Sequence, residues 1–467
     1  MHPLLRYATY QPILIVTLAA AFYLYEFFLR VSPSVLTHEL MHFYQVGAGT
    51  LGSIMGCFFL AYTFMQIPSG LLGDHFGPRK MLTLAAVLCA ISTLLFTQSD
   101  HVAMGMLTRF LLGLSASFAY IAPLMLAARW FSARYFAMLT GLIQMMGCMG
   151  AIVGGTPVVQ LTHHYGWQST LSGAAIIGAG LSLLFWWVIR DAPPQTDCIE
   201  IQAITQGESI PVLKRLSAVC HHPQTWAIAL VGFACWAPIA MFAELWGVPF
   251  LERAYQLSTY EAAHLIRYTW IGIALGGPLM GYLSQYLSSR KQPLCLALIV
   301  SLITTYCIIY AQPQISWLPL NLFLFGLGAS AQCVTFGCVR DVHPLNVSGT
   351  AVGFNNMAVI MGGVFCQPLV GLLLEHNWTG EWIDQVHAFN IKAYQTAFLK
   401  TYYKEDFIAA TMSTELTNTS KLREFVEELK KLNIEIIKPS INKCFSDFKA
   451  IKGKLYYGLG AIKNVGY

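Results

Sequence analysis

Glu26 and Arg30 stand four residues apart in YEFFLR (25–30), so a helix places a carboxylate and a guanidinium on one face. The stretch around them, residues 11–30, is almost wholly apolar. A charged pair is costly there and is by default a functional feature. Arg30 can bind a solute carboxylate and Glu26 can exchange a proton. The alternative is a structural pair near the interface, with Arg30 reaching to water. Glu244, in FAELWG (242–247), has no basic residue four positions away. It can serve as a proton site, as a ligand for a cationic amine, or as an acid at the outer rim. Arg109 lies in another apolar stretch, where a fixed positive charge either tunes a nearby carboxyl or makes a structural pair. Gln66, Gln144, Gln332, Asn355, Asn356 and Gln367 are polar groups in such stretches, suited to lining a path or to joining helices. No phosphate-cradling loop, catalytic triad or metal-ligand spacing can be assembled, so neither an enzyme nor a cofactor nor a metal is expected. The twelve Cys are scattered, without CxxC spacing, and read as small buried apolar residues.

The elements that position these residues are membrane spans. Of 467 residues, 56% are hydrophobic and 11% charged, with mean hydropathy +0.55. A soluble chain of this length carries roughly a quarter charged residues. Eleven apolar stretches of spanning length fall near 11–30, 48–71, 81–97, 102–128, 137–160, 169–189, 225–250, 262–285, 293–311, 316–338 and 349–374. The first is long, lacks a cleavage site and is followed by ten others, so it reads as a span and not a leader. With the N-terminus cytoplasmic, Arg6, Arg79, Lys80, Arg129, Arg134, Arg190, Lys214, Arg215, Arg290, Lys291 and Arg340 fall inside. Only Arg30, Arg253 and Arg267 fall outside, which is a positive-inside pattern.

The chain also repeats itself. YQVGAGTLGSI (44–54) resembles YQLSTYEAAHL (255–265), and GLLGDHFGPRK (70–80) lies on GYLSQYLSSRK (281–291). FLLGLSAS (110–117) lies on FLFGLGAS (323–330), and GLIQMMGCMG (141–150) on GFNNMAVIMG (353–362). Two halves in parallel order are expected. The pairing also sets Asn356 opposite Gln144, as a possible pair flanking the central axis. Residues 191–222, polar and opening on a Pro pair, read as the link. The first half continues past Trp167 into a sixth span. The corresponding TGEWIDQVHAFNIKAYQTAFLKT (379–401) carries Glu381, Asp384, His387, Lys392 and Lys400 and is not expected to span, so a twelfth helix is expected to be missing.

Gly70-x-x-x-Asp74-x-x-Gly77-x-Arg79-Lys80 resembles the signature of the major facilitator superfamily, with His75 where that signature usually has Arg or Lys. Arg109-x-x-x-Gly113 resembles the superfamily's second motif. The resemblance covers residues 1 to about 395 and implies twelve helices in two six-helix bundles rocking around a central site. It makes Gly70, Asp74, Gly77, Arg79 and Lys80 a gating motif; Gln285 replaces Asp74 in the second half, so a charged latch is one-sided. In that family an Arg in the fourth helix is associated with proton coupling. The Gly-Pro motif of the superfamily's exporters matches GCMGAIVGGTP (147–157) poorly, which favours uptake.

The tail, from AYQTAFLKTYYKEDF (393–407) through GKLYYGLGAIKNVG, resembles a fragment of the bacterial DNA polymerase III alpha subunit, without counterparts of its catalytic aspartates. Thirteen Lys and Arg after residue 383 are offset by nine Asp and Glu, so nucleic-acid binding is not expected. TSKLREFVEELKKL (419–432) reads as a capped helix and IEIIKPSI as a short strand.

The expected molecule is an all-α polytopic membrane protein of the major facilitator fold, with a small α+β tail. Its parts are an N-terminal bundle (1–190), a cytoplasmic linker (191–222), a five-helix C-terminal bundle (223–378) and the tail (379–467). The expected function is proton-coupled uptake of a small polar organic solute, an organic anion or amino-acid-like molecule, by a monomer in the bacterial inner membrane. Alternatives are a proton-antiporting exporter and an inactive chimeric or truncated transporter.

Overall fold

The computed structural model describes residues 3–131, 133–191, 212–343, 345–383, 386–401, 435–437, 449–451 and 454–456. In the first half the helices are α1 (Pro3–Val31), α2 (Thr37–Tyr44), α3 (Ala48–Phe76), α4 (Pro78–Gln98), α5 (Val102–Ala116), α6 (Phe118–Trp130), α7 (Ala133–Val153), α8 (Thr156–Tyr165) and α9 (Trp167–Val188). In the second they are α10 (Val212–His221), α11 (Pro223–Met241), α12 (Gly247–Tyr255), α13 (Thr259–Tyr286), α14 (Lys291–Tyr306), α15 (Leu318–Ala329), α16 (Gln332–Val342) and α17 (Leu345–His376), followed by α18 (Ile391–Thr401). Ten stretches of the described residues are helical, long and apolar enough to cross a membrane. The expected span at 262–285 is absent from those ten, yet it forms α13, 28 residues long. At 1.5 Å per residue that length suffices to span; Glu261, His264 and Arg267 at its start lower its hydropathy.

The repeat is visible as duplicated helix crossings. A Cβ on Gly113 of α5 would strike the Phe58 carbonyl of α3, and a Cβ on the repeat-related Gly326 of α15 would strike the Thr269 carbonyl of α13. Gly150 of α7 meets the Leu24 carbonyl of α1, and the related Gly362 of α17 sits with its would-be Cβ 2.7 Å from Ala237 Cα of α11. Small residues let the backbones approach where lipid offers no hydrophobic drive between helices. Gly113→Val or Gly326→Val is therefore expected to destabilise the fold by about 1–3 kcal/mol through overpacking. The check is thermal unfolding of detergent-solubilised protein.

The two halves meet along α3 and α17. A Cβ on Gly52 would lie 2.6 Å from the Gln367 carbonyl, one on Gly56 2.9 Å from Pro368 Cγ, and one on Gly49 2.9 Å from Leu372 Cδ2. At this end of the bundle Glu375 accepts the Ala48 N–H at 3.1 Å and pairs with His387. The His387 ring stacks on Trp378 at 3.8 Å, and Glu381 pairs with Arg253. The pair β1 (Trp382–Ile383) and β2 (Val386–His387) completes this cap.

The chain divides into two compact units, 1–394 and 395–467. Residues 379–394, expected with the tail, thus fold with the first unit, through the cap contacts and the packing of Tyr394 on Phe250. The second unit holds a sheet in which β5 (Lys454–Tyr456) pairs parallel with β3 (Glu435–Ile437) and antiparallel with β4 (Lys449–Ile451). The strand expected in IEIIKPSI is β3; the helix expected at 419–432 lies outside the described residues.

Candidate functional site

α1 carries Glu26 and Arg30 to the middle of the first unit, and α11 brings Glu244 to meet them. α11 contains Pro238, which cannot donate to the preceding turn, and the helix passes into a π turn over Phe242–Trp246 before α12 resumes. A π turn accommodates one residue more than an α turn and is frequent at functional sites. Glu244 lies within it.

The Arg30 guanidinium donates to Glu244 Oε1 at 2.7 Å, and the residues are only 3% and 1% exposed. Arg30 thus pairs across the two halves, not with Glu26 one turn away. Glu26 is 1% exposed, and neither of its carboxylate oxygens has a hydrogen-bond partner among the described residues. The Arg30 guanidinium also stands over Phe27 and Phe59, each at 4.9 Å, and near Tyr62 at 5.9 Å. Those rings favour a cation at this position. Arg109, buried on α5, donates to the Leu29 carbonyl at 3.3 Å and stands over Phe58 at 5.1 Å. Two carboxylates and two guanidinia therefore share one buried region, with formal charges that cancel.

The amide groups form a belt around this region. Asn356 donates to Gln66 Oε1 at 2.6 Å, which joins the halves, while Gln144 accepts from Tyr23 at 3.5 Å. The repeat suggested Asn356 with Gln144; helix α3, closer to α17 than α7 is, supplies the partner instead. Asn355 donates to Thr335 Oγ1 at 2.9 Å, Gln367 to the Ala240 carbonyl at 2.7 Å, and Trp246 Nε1 to the Gln367 carbonyl at 3.1 Å. Gln367 thereby fastens α17 to both sides of the π turn. Gln332 is buried at the start of α16.

The motif loop lies apart from this cluster. Gly77 takes φ +83°, which a side chain rarely adopts, and so turns α3 into α4. The Arg79 N–H donates to Asp191 Oδ1 at 2.8 Å, and its guanidinium donates to the Trp186 carbonyl at 3.0 Å while covering the Trp186 ring. Lys80 is exposed and Gly70 lies on the last turns of α3. The Asp74 side chain lies outside the described residues. The repeat-related Arg290 pairs with Asp341 at 2.9 Å. Asp191 and Asp341 were not singled out from the sequence; each stands just before or after a span, on the side rich in Lys and Arg, and that was the available signal. Among the described residues no group of three or more His, Cys, Asp or Glu could hold a metal.

Comparison with known proteins gives four results. The Major Facilitator Superfamily profile matches residues 14–366. The probable galactarate/D-glucarate transporter GudP of Escherichia coli (strain K12) is 21% identical over 378 residues, covering 74% of this chain and 83% of that one. A bacterial homologue of the human lysosomal transporter Spinster superposes with a TM-score of 0.65 at 14% identity, over 79% of this chain and 84% of that one. The DNA polymerase III subunit alpha of Campylobacter jejuni is 45% identical over 83 residues, 17% of this chain but only 7% of the polymerase. The tail is thus similar to a short piece of a far longer enzyme.

Proposed function

Because this chain belongs to the Major Facilitator Superfamily, and so is a multi-pass secondary transporter and not an enzyme, we propose that it takes up a small organic anion together with protons by alternating access. The Arg30–Glu244 ion pair across the two halves carries this reading. An arriving carboxylate competes with Glu244 for the Arg30 guanidinium. Once displaced, Glu244 is an unpaired buried carboxylate, which is strongly disfavoured unless it takes a proton. Each carboxylate that displaces Glu244 from Arg30 is thereby balanced by one proton. Glu26, buried beside Arg30 without a hydrogen-bond partner among the described residues, is the alternative proton position. The name of GudP, a probable transporter of two sugar diacids, supports the anion over an amino-acid-like solute.

The Lys and Arg distribution supports a cytoplasmic N-terminus, and the protein is read as one of the bacterial inner membrane. The end at which α3 and α17 are sealed is then the outer end, and the motif loop held by Asp191 lies inside. The protein is read as a monomer without nucleic-acid affinity. The tail takes no part in transport; it replaces the twelfth helix of the family pattern, joined near AYQTA (393–397), where the two compact units divide.

The test is uptake of labelled D-glucarate into proteoliposomes. An inward proton gradient is expected to drive accumulation that a protonophore abolishes. Uptake driven by an outward gradient would favour the exporter, and gradient-independent behaviour would favour an inactive chimera, a reading that the tail itself supports. A Glu-specific digest checks the seam separately: the peptide WIDQVHAFNIKAYQTAFLKTYYKE (382–405) is expected by mass spectrometry. An apolar continuation in its place would remove the fusion.

A further inference from the structure

A small cavity lies between the halves on the sealed side of the Arg30 cluster. It is lined from the first half by Val31, Ser34 and Gly155, and from the second by Val248, Arg267 and Trp270. In this conformation it has room for about one water. Two helix irregularities flank it. The chain breaks between α7 and α8 at Gly154–Gly155, and the π turn ends just before Val248. Both are places where a helix can bend.

Arg267 is the only charged residue in this lining. Its Nε is buried without a hydrogen-bond partner among the described residues, and its guanidinium stands over Tyr268 at 5.2 Å. Thr156 Oγ1, next to Gly155 of the lining, is likewise buried without a partner. A buried donor left unsatisfied is costly, so these groups point to a polar occupant in some other state of the cavity. Between the cavity and Arg30 stands one aromatic contact: Phe27 of α1 meets Trp270 of α13 edge to face at 5.8 Å, both rings being buried. Phe27 is also the ring under the Arg30 guanidinium. The sequence Arg267, Trp270, Phe27, Arg30 is therefore a file of two cations separated by two rings.

We propose that Arg267 is a second, outer station for the carboxylate of the transported anion, with Trp270 and Phe27 as the gate between it and Arg30. When the outer ends of the two halves part, the cavity widens and the anion docks on Arg267. As Trp270 and Phe27 separate, the carboxylate passes to Arg30; as they close behind it, the cavity collapses to its present size. No bond forms or breaks, and the guanidinium stays charged throughout. The station rests on the anion-uptake reading above.

The experiment compares Arg267→Gln, Arg267→Lys and wild-type full-length chains in proteoliposomes with labelled D-glucarate, in both orientations. For Arg267→Gln, KM from the outer face is expected to rise about tenfold, the loss of one charge-assisted contact, with KM from the inner face within twofold of wild type. Arg267→Lys is expected to recover part of the loss, which a merely structural arginine would not show. Thermal unfolding of each variant separates misfolding from weakened docking. Equal changes in both directions, or none, overturn the station while leaving the central site intact. A wild type that neither transports D-glucarate nor binds it in equilibrium dialysis removes the anion reading, and the station with it.

Discussion

Arg30→Gln is expected to lower proton-driven uptake by at least about 100-fold. Removing one member of a buried ion pair costs about 3–5 kcal/mol, because the other charge is left uncompensated. Here the partner left behind is Glu244, 1% exposed inside a π turn. The aromatic cage of Phe27, Phe59 and Tyr62 also loses its cation. Glu244→Gln makes the informative contrast. Its amide oxygen still accepts from Arg30, but it cannot carry a proton. Accumulation against a gradient is expected to vanish while exchange of labelled for unlabelled solute persists. Counterflow and gradient-driven uptake, measured on the same vesicles, check both expectations. Retained accumulation in Glu244→Gln would move the proton to Glu26.

Gly52→Leu is expected to slow turnover more than tenfold without unfolding the chain. The Gln367 carbonyl would stand 2.6 Å from the new Cβ and Pro368 Cα 3.0 Å from it, and neither is the far end of a flexible side chain. α3 and α17 belong to different halves, so the strain is relieved when their sealed ends separate. The variant is therefore held with the cavity beside Val31 open. A thiol placed by Val31→Cys is expected to react faster with an impermeant reagent in the Gly52→Leu background. Gly180→Leu, on the exposed face of α9 with nothing within 4 Å, is the control expected to change neither quantity.

Hydropathy and repetition made the helices legible. A span is a long apolar run whatever packs against it, and duplicated sequence predicted duplicated crossings such as Gly113 on Phe58 and Gly326 on Thr269. Even α13 could be read this way, although its polar first turns lower its hydropathy. The charged residues of the site were legible as individuals, because a charge within an apolar run is conspicuous. Their partners were not. Helical spacing reports which residues share a face; it suggested Glu26 for Arg30. It cannot report which face of a distant helix lies opposite, and Glu244 is 214 positions away. The same limit set Asn356 with Gln144 when Gln66 is nearer. The cap was missed for a related reason: Glu381 and His387 look solvated, but each has an opposite charge or an acid waiting in another element, Arg253 and Glu375.

The π turn around Glu244 makes the ion pair depend on counting as much as on chemistry. Five residues occupy a turn where an α-helix would seat about four. Deleting a single codon at 242 or 243 would let the turn relax to regular winding, leaving the helix beyond it in register but moving Glu244 one position around the helix, roughly 100°. Glu244 would then swing away from Arg30 without any change in side-chain identity. Gene variants in this segment are consequently better compared by length than by similarity. A conservative exchange that preserves the five-residue turn leaves the carboxylate aimed at the first half, whereas a loss of one unaltered-looking apolar residue does not.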